Sequence, residues 1–549
     1  MRRHAGDLIA LGTVLLLGVL FYYPETDPLQ SRYIYYADSF ERAARHVNPE
    51  YVDSYRRYDW ESYSPLMTLL ARGALLSFPD KPAAAVTVLY FGVALVAGVL
   101  TYLATRYYFS ALPALFITAL LMYDRALMPL ARGLGMMVVL LLTPLLLIFI
   151  RNLARTQERQ VGWSRRIVPV ALLAVSGALI YSLGVHETVY AVVFGIGFLG
   201  ILVAGWVVQS VRTRRLAPGP SGPTMVGLGA AAVLTLAIFS ATCLGIAKEQ
   251  GPDGLWSVLR YRLFVGMTLD DVELELTEPD ANRLLQWKST FYAGRYLTGY
   301  GSYHANTFLY HGPGFNGIVP LFVYPGFLVG LWGFGRALIR LVRPGGSPPC
   351  DRSQRYFLIF NLVLLIVFGL VALTSSDPKP TRCTCCMFAV FALSAQGYQQ
   401  LYGLIRRFVA ARQWAFIPLI ASRRQFAARV AAAALLLVVG GLMSLRLHKN
   451  HADLHRYLAR YLREIPTDGL LPLLEQARTE HAAKQVYFLN GFVAHAWHPA
   501  IGLLTGWNVP ENVTFVNPHV WKQPLPADAV VFVRERSEWR TGDAADLGK

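Results

Sequence analysis

The sequence predicts an all-α polytopic membrane protein of about eleven transmembrane helices, with a small α/β domain at its C-terminal end. Two observations carry that expectation. Of the 549 residues, 54% are hydrophobic and only 15% are charged, whereas soluble domains are about one quarter charged. The apolar residues also fall in long runs rather than at amphipathic spacing, and mean hydropathy is +0.38.

The runs lie near 8–24, 83–105, 110–123, 134–150, 167–183, 188–208, 225–247, 317–335, 356–374, 384–403 and 427–445. The first follows Arg2, Arg3 and His4 and has no small-x-small cleavage site before the acidic stretch, so it reads as a retained anchor. The chain thus divides into a membrane module (1–445), with large loops at 25–82 and 248–315, and a tail (446–549). In the tail, HADLHRYLARYLREI (451–465) repeats apolar residues at helical spacing, and TDGLLPLLEQARTEH supplies a capping residue and a second helix. KQVYFLNG and ADAVVFVRE read as short strands, which makes the tail a small α/β domain.

The net charge is +17, and its distribution decides its meaning. With the N-terminus in the cytoplasm and the spans alternating, RNLARTQERQVGWSRR (151–166), VRTRRL (211–216) and RRFVAARQWAFIPLIASRR (406–424) all fall on the cytoplasmic side. The other loops and the tail are close to charge balance. This is the positive-inside pattern. The basic excess therefore reports topology, and the expected partner is the membrane and not nucleic acid. An odd number of spans puts the tail outside, together with the loops at 25–82 and 248–315. The expected location is the bacterial inner (cytoplasmic) membrane.

Of the five cysteines, Cys383, Cys385 and Cys386 cluster at the outer end of the tenth span. No second cluster completes a metal set, so they read as small helix-packing residues. The loop 248–315 is rich in aromatics, including Trp256, Trp287, Tyr300 and Tyr303. These suit either a belt at the headgroup level or a cleft in which rings stack on sugar. His304 and His311 stand among them in YGSYHANTFLYHGPG.

No phosphate loop, dinucleotide fingerprint, HExxH or GxSxG is present. The polar residues that could carry chemistry sit at outer ends of spans. Glu25, Asp27 and Asp38 lie in FYYPETDPLQSRYIYYADSF, just after the first span. A carboxylate at that boundary suits a general base, although the same charges also suit a solvated loop. Asp124 and Arg125 occupy the short turn of MYDRALMPLAR, where they could bind phosphate or cap the turn. His186 and Glu187 stand in SLGVHETVY with little loop to solvate them, and ionisable groups at that depth usually face a cavity or partner. Arg382, in SSDPKPTRC, could clamp a lipid phosphate or anchor the helix at the interface. Transporters keep such residues near mid-span on broken helices. Here they gather at one interface, which favours chemistry at the outer leaflet.

This layout resembles the integral-membrane glycosyltransferases of the GT-C fold, which use polyprenyl-phosphate-linked sugars. Relatives include protein O-mannosyltransferases, aminoarabinose transferases of lipid A and oligosaccharyltransferase catalytic subunits. The resemblance rests on PETDPLQSRYIYYADSF after the first span, on Asp124 in the next outer loop, on the HE turn at 186–187 and on the outer tail. It implies a membrane glycosyltransferase that moves a sugar from a polyprenyl-phosphate donor to a lipid, glycan or protein acceptor at the outer (periplasmic) face. It implies Asp27 as the catalytic carboxylate, with Glu25 and Asp38 as fallbacks. Asp124, Arg125, His186, Glu187 and Arg382 would then bind substrate and phosphate. The adjacent Asp-Glu pair of the mannosyltransferases and the WWDYG-type acceptor motif are absent. The outer loops contain no DxD, so the need for a divalent cation (Mg or Mn) stays open. Two further readings stand beside this one: a flippase or transporter of a lipid-linked glycan, and a non-catalytic GT-C-like protein.

Overall fold

The computed structural model describes residues 2–22, 82–123, 134–157, 165–182, 221–238, 322–342, 352–374, 380–411, 418–463, 470–489, 512–516, 528–535 and 538–543, with isolated positions at 70–78, 210, 240–244, 320 and 525–526. The described chain is mostly helical. Its helices are α1 (Arg2–Tyr22), α2 (Pro82–Arg106), α3 (Ala111–Tyr123), α4 (Leu134–Thr156), α5 (Ile167–Ser182), α6 (Gly222–Ile238), α7 (Val323–Val342), α8 (Arg352–Thr374), α9 (Pro380–Ala411), α10 (Pro418–Arg463) and α11 (Leu470–Thr479). Helices α1 to α10 fall on ten of the expected spans, and the run at 188–208 lies outside the described residues. The expected number of crossings is therefore a proposal. The chain clusters into two units, Met1–Phe21 with Ala94–Ala131 and Gly135–His451, and Tyr22–Val93 with Arg132–Leu134 and Ala452–Lys549.

In the first unit, α1 runs antiparallel to the second half of α2. Asp7 takes a forked ion pair from Arg106 (2.5 and 3.2 Å) and a hydrogen bond from Tyr102 Oη (3.2 Å). Farther along, Val14 lies beside Gly98 and Leu95 beside Gly18. Elsewhere in this unit, Phe116 of α3 meets Phe322 and Tyr398 edge-on, and Phe334, Leu358 and Leu393 pack together from α7, α8 and α9. Gly326 and Gly330 of α7 touch the α9 backbone at Leu393, Ser394 and Gly397. This is the small-residue packing by which helices approach closely in lipid. Ser394 Oγ donates to the Val323 carbonyl at 2.8 Å, and Tyr398 Oη donates to that of Phe322.

The surface of the helices argues for lipid as the solvent. Leu8, Ile9 and Leu16 on α1 and Phe426 and Leu437 on α10 are all more than half exposed, with Leu437 at 75%. Such apolar surface would drive association in water but is matched to hydrocarbon. Several polar side chains in the helices bond to their own helix. Thr101, Thr118, Asn152 and Asn361 each donate to the carbonyl four residues back, at 2.7–2.8 Å. Two helices hold the long apolar window that a full crossing needs, at Ala5–Tyr22 and Val88–Arg106, among the described residues. The protein is a helical membrane protein. Past the expected end of the fourth span, Arg151 lays its guanidinium over the Tyr107 ring, and burial lowers its pKa while the contact with Tyr107 opposes that shift.

Helix α10 has 46 residues and continues through residue 445 without a break. No glycine or proline falls between Gly441 and Arg463, and the segment is rich in Leu and Arg. At 1.5 Å per residue it is roughly 69 Å long, against about 40–45 Å for a bilayer with its headgroups. It therefore extends past the membrane.

In the second unit, α11 precedes β1 (Val486–Leu489), β2 (Val513–Val516), β3 (Val530–Glu535) and β4 (Glu538–Asp543). The sheet order is β2-β1-β3-β4, with β1 parallel to β2 and β3, and β4 antiparallel to β3. Val486 pairs with Val513 on one side and Val530 on the other. Phe488 stacks on Phe532 at 4.8 Å, while Tyr487, Ala529 and Val531 form a cluster of their own. Asn512 Nδ2 donates to the carbonyls of Ala477, His481 and Lys484, tying the end of α11 to the start of β2. β1 lies within KQVYFLNG and β3 within ADAVVFVRE.

Candidate functional site

The site begins with α3. This helix has only 13 residues, and positions 117 to 123 are buried on every side, as for a helix sunk within a core. Its last residue, Tyr123, is fully buried and donates from Oη to the Val14 carbonyl of α1 at 2.9 Å. Gly98 of α2 makes room for that hydroxyl, since a Cβ there would sit 3.0 Å from it. The Tyr123 ring lies 5.4 Å from that of Phe21, centroid to centroid. Phe21 also meets the His451 ring of α10 edge-on at 5.4 Å. His451 Nε2 donates to the Leu20 carbonyl at 3.1 Å. That carbonyl lies in the last turn of α1, where acceptors lack helical partners.

Three chain segments thus meet at one point. Phe21 stands four residues before Glu25, and Tyr123 directly precedes Asp124. The ends of the two helices that lead into these acidic stretches are in ring contact. Glu25, Asp27, Asp38, Asp124, Arg125, His186 and Glu187 themselves lie outside the described residues. Arg382 falls in the first turn of α9, and its side chain also lies outside them. Helix α5, which leads toward His186, ends at Ser182, buried and bonded to the Ala178 carbonyl at 2.7 Å. Among the described residues, no three His, Cys, Asp or Glu gather as metal ligands.

The sequence reading passed over α10's contribution. Arg446 is fully buried, Asn450 is 1% exposed, and both belong to RLHKNH (446–451) directly after the last apolar run. The available signal was the four-residue spacing of Arg446 and Asn450, which puts them on one helix face.

The arrangement has a counterpart among solved structures. ArnT from Cupriavidus metallidurans in the apo state superposes with a TM-score of 0.50 at 13% identity, covering 97% of this chain and 93% of that one. The chain has the GT-C fold. ArnT from the same organism bound to undecaprenyl phosphate gives a TM-score of 0.45 at 13% identity, over 96% of this chain and 92% of that one. The apo Archaeoglobus fulgidus oligosaccharyltransferase gives 0.48 at 14% identity, over 94% of this chain. This chain spans 65% of the length of that archaeal protein. No family model matches the sequence, and no curated protein matches it.

Proposed function

We propose that this chain is a membrane glycosyltransferase that moves a sugar from a polyprenyl-phosphate donor to a lipid, glycan or protein acceptor at the outer face of a bacterial inner membrane. The observation that carries this reading is the ring contact between Phe21 and Tyr123, which joins the helix ends leading to Asp27 and Asp124. The GT-C fold supports it, and ArnT, which shares that fold, has a structure bound to undecaprenyl phosphate. In this reading the chain crosses about eleven times, with its N-terminus in the cytoplasm and residues 446–549 outside.

The chemistry follows from the groups involved. The acceptor oxygen or nitrogen attacks the anomeric carbon, and the bond from that carbon to the phosphate oxygen breaks. Asp27 takes the acceptor proton, with Glu25 and Asp38 as the neighbouring carboxylates that could replace it. The phosphate leaves with the bonding electrons, so Arg125 and Arg382 stabilise the charge that develops on it. Asp124, His186 and Glu187 line the sugar and phosphate pocket. Carboxylates such as Asp27 and Asp124 also suit a hard cation such as Mg or Mn, which would supply further charge neutralisation at the phosphate.

The test is sugar transfer by purified Asp27→Asn in proteoliposomes loaded with a polyprenyl-phosphate sugar. Loss of a general base costs about a hundred- to ten-thousandfold in rate, and that loss is expected with folding unchanged. Transfer at the wild-type rate by a folded variant would overturn the role of Asp27.

A further inference from the structure

The ends of α2 and α4 meet at a cationic corner that the proposed reaction does not use. Arg106, the last residue of α2, is matched by Asp7. Arg151 and Arg155 of α4 are not matched: among the described residues neither has a carboxylate partner. They stand one turn apart on one face, near enough for one charge to act on the other. Arg155 is exposed and Arg151 half-buried, so both can be reached from outside. Like charges at this spacing repel, and an anion between them removes the repulsion. The Arg151 guanidinium lies over the Tyr107 ring, which keeps N–H donors at its edge in the planar fork that suits a phosphate. Helix α8 fixes the corner further. Its Tyr356 Oη donates to Gln157 Oε1 at 3.1 Å, and its Phe357 ring stacks on Tyr108 at 4.1 Å between centroids. The Tyr107 ring also connects the cations to the lipid-facing surface. Val96 and Leu103 share one face of α2, and Tyr107 continues that stripe in the turn after the helix. The three are 53%, 45% and 54% exposed. From Val96 to Tyr107 the stripe is roughly 16 Å long, which is half the ~30 Å hydrocarbon thickness and so one leaflet.

We propose that this corner binds a phospholipid of net negative charge, such as phosphatidylglycerol, from the adjoining leaflet, which is the cytoplasmic one in the topology proposed above. The phosphate sits between Arg151 and Arg155, and an acyl chain lies along Tyr107, Leu103 and Val96. The site is independent of the glycosyltransferase reading. It lies beside the start of α3, whereas Tyr123 stands at that helix's end. A soluble phosphate would match the arginines but leave the apolar stripe unused. A zwitterionic phospholipid would cover the stripe but bring its own cation against two unmatched arginines. An anionic phospholipid meets both requirements.

The experiment counts lipids retained by the purified full-length protein in native mass spectrometry, titrating phosphatidylglycerol against phosphatidylcholine of the same chain length. The wild type is expected to prefer phosphatidylglycerol. A variant carrying Arg151→Gln with Arg155→Gln should bind it about thirtyfold more weakly, since each basic residue beside an anionic headgroup contributes about fivefold. Its binding of phosphatidylcholine should not change. The matched control carries Arg336→Gln with Arg340→Gln, which removes two exposed arginines one turn apart on α7 and the same net charge. That control should bind phosphatidylglycerol as the wild type does. Arg155→Gln alone, at the exposed position, carries the test at about fivefold if the double variant does not fold. Failure of both to fold assigns the arginines to packing and overturns the proposal. Equal weakening in the two double variants also overturns it, because the attraction then belongs to the basic face at large. A wild type that binds the two lipids alike overturns it too, as does release of the lipid by an equal concentration of glycerol 3-phosphate, which would make this a site for a soluble anion. None of these outcomes bears on sugar transfer by Asp27→Asn, so the two readings fail separately.

Discussion

Tyr123 ties the end of α3 to α1 through one hydrogen bond and one ring contact. Tyr123→Phe keeps the ring and loses the bond to the Val14 carbonyl. A net loss of about 1 kcal/mol is expected, read as a modest fall in melting temperature. Gly98→Ala, which drives a methyl to 3.0 Å from the Tyr123 hydroxyl, should cost more because the close-packed, fully buried ring must shift by a few tenths of an ångström. If Gly98→Ala proves the milder of the two, Tyr123 is not held in this slot. At this scale the sequence was partly legible. MYDRALMPLAR marked the turn after Tyr123, but nothing in it distinguished Tyr123 from any other interfacial tyrosine. Asn450 was hidden for a similar reason. An asparagine after an apolar run reads as solvated until its burial is known.

Among the elements, α7 and α9 make the closest approach described. A Cβ on Gly330 would clash with the Leu393 carbonyl oxygen, whereas one on Gly335 meets nothing within 4 Å. Backbone cannot step aside as a flexible side chain can. Gly330→Ala is therefore expected to destabilise by about 1–3 kcal/mol or more, while Gly335→Ala should be neutral or slightly stabilising. Equal melting temperatures for the two variants in detergent would rule out the contact. The helices themselves were legible as apolar runs, and their ends agree with the sequence reading within one residue for α2, α3 and α5. The last run was not. Its hydropathy stops at 445, but helix formation depends on backbone propensity and not on apolarity, so α10 continues through a polar stretch to Arg463.

For the whole molecule, lipid is the solvent that makes sense of the exposed surface. Leu437 is 75% exposed near the middle of the last apolar run. In water, Leu437→Asp would be harmless or beneficial. At the bilayer centre it costs about 2.5–3.5 kcal/mol on the insertion scale. The expected result is a marked drop in the fraction resistant to alkaline extraction from membranes, with Leu437→Ala unaffected. Equal extraction of the two variants would remove that face from the bilayer.

Composition and the order of apolar runs were enough to point to a helical membrane protein and to single out the short polar stretches between its apolar runs. Each of these depends on transfer between water and lipid, which is a property of a local segment. Only the tertiary structure decided which helix ends meet. Tyr123 and Val14 are 109 positions apart, and His451 and Leu20 are 431 apart. No periodicity records such pairings, because they are chosen by the mutual fit of side chains such as Tyr123 in the space left by Gly98. That fit brought His451 of α10 to the end of α1, beside the Phe21 ring that Tyr123 also meets.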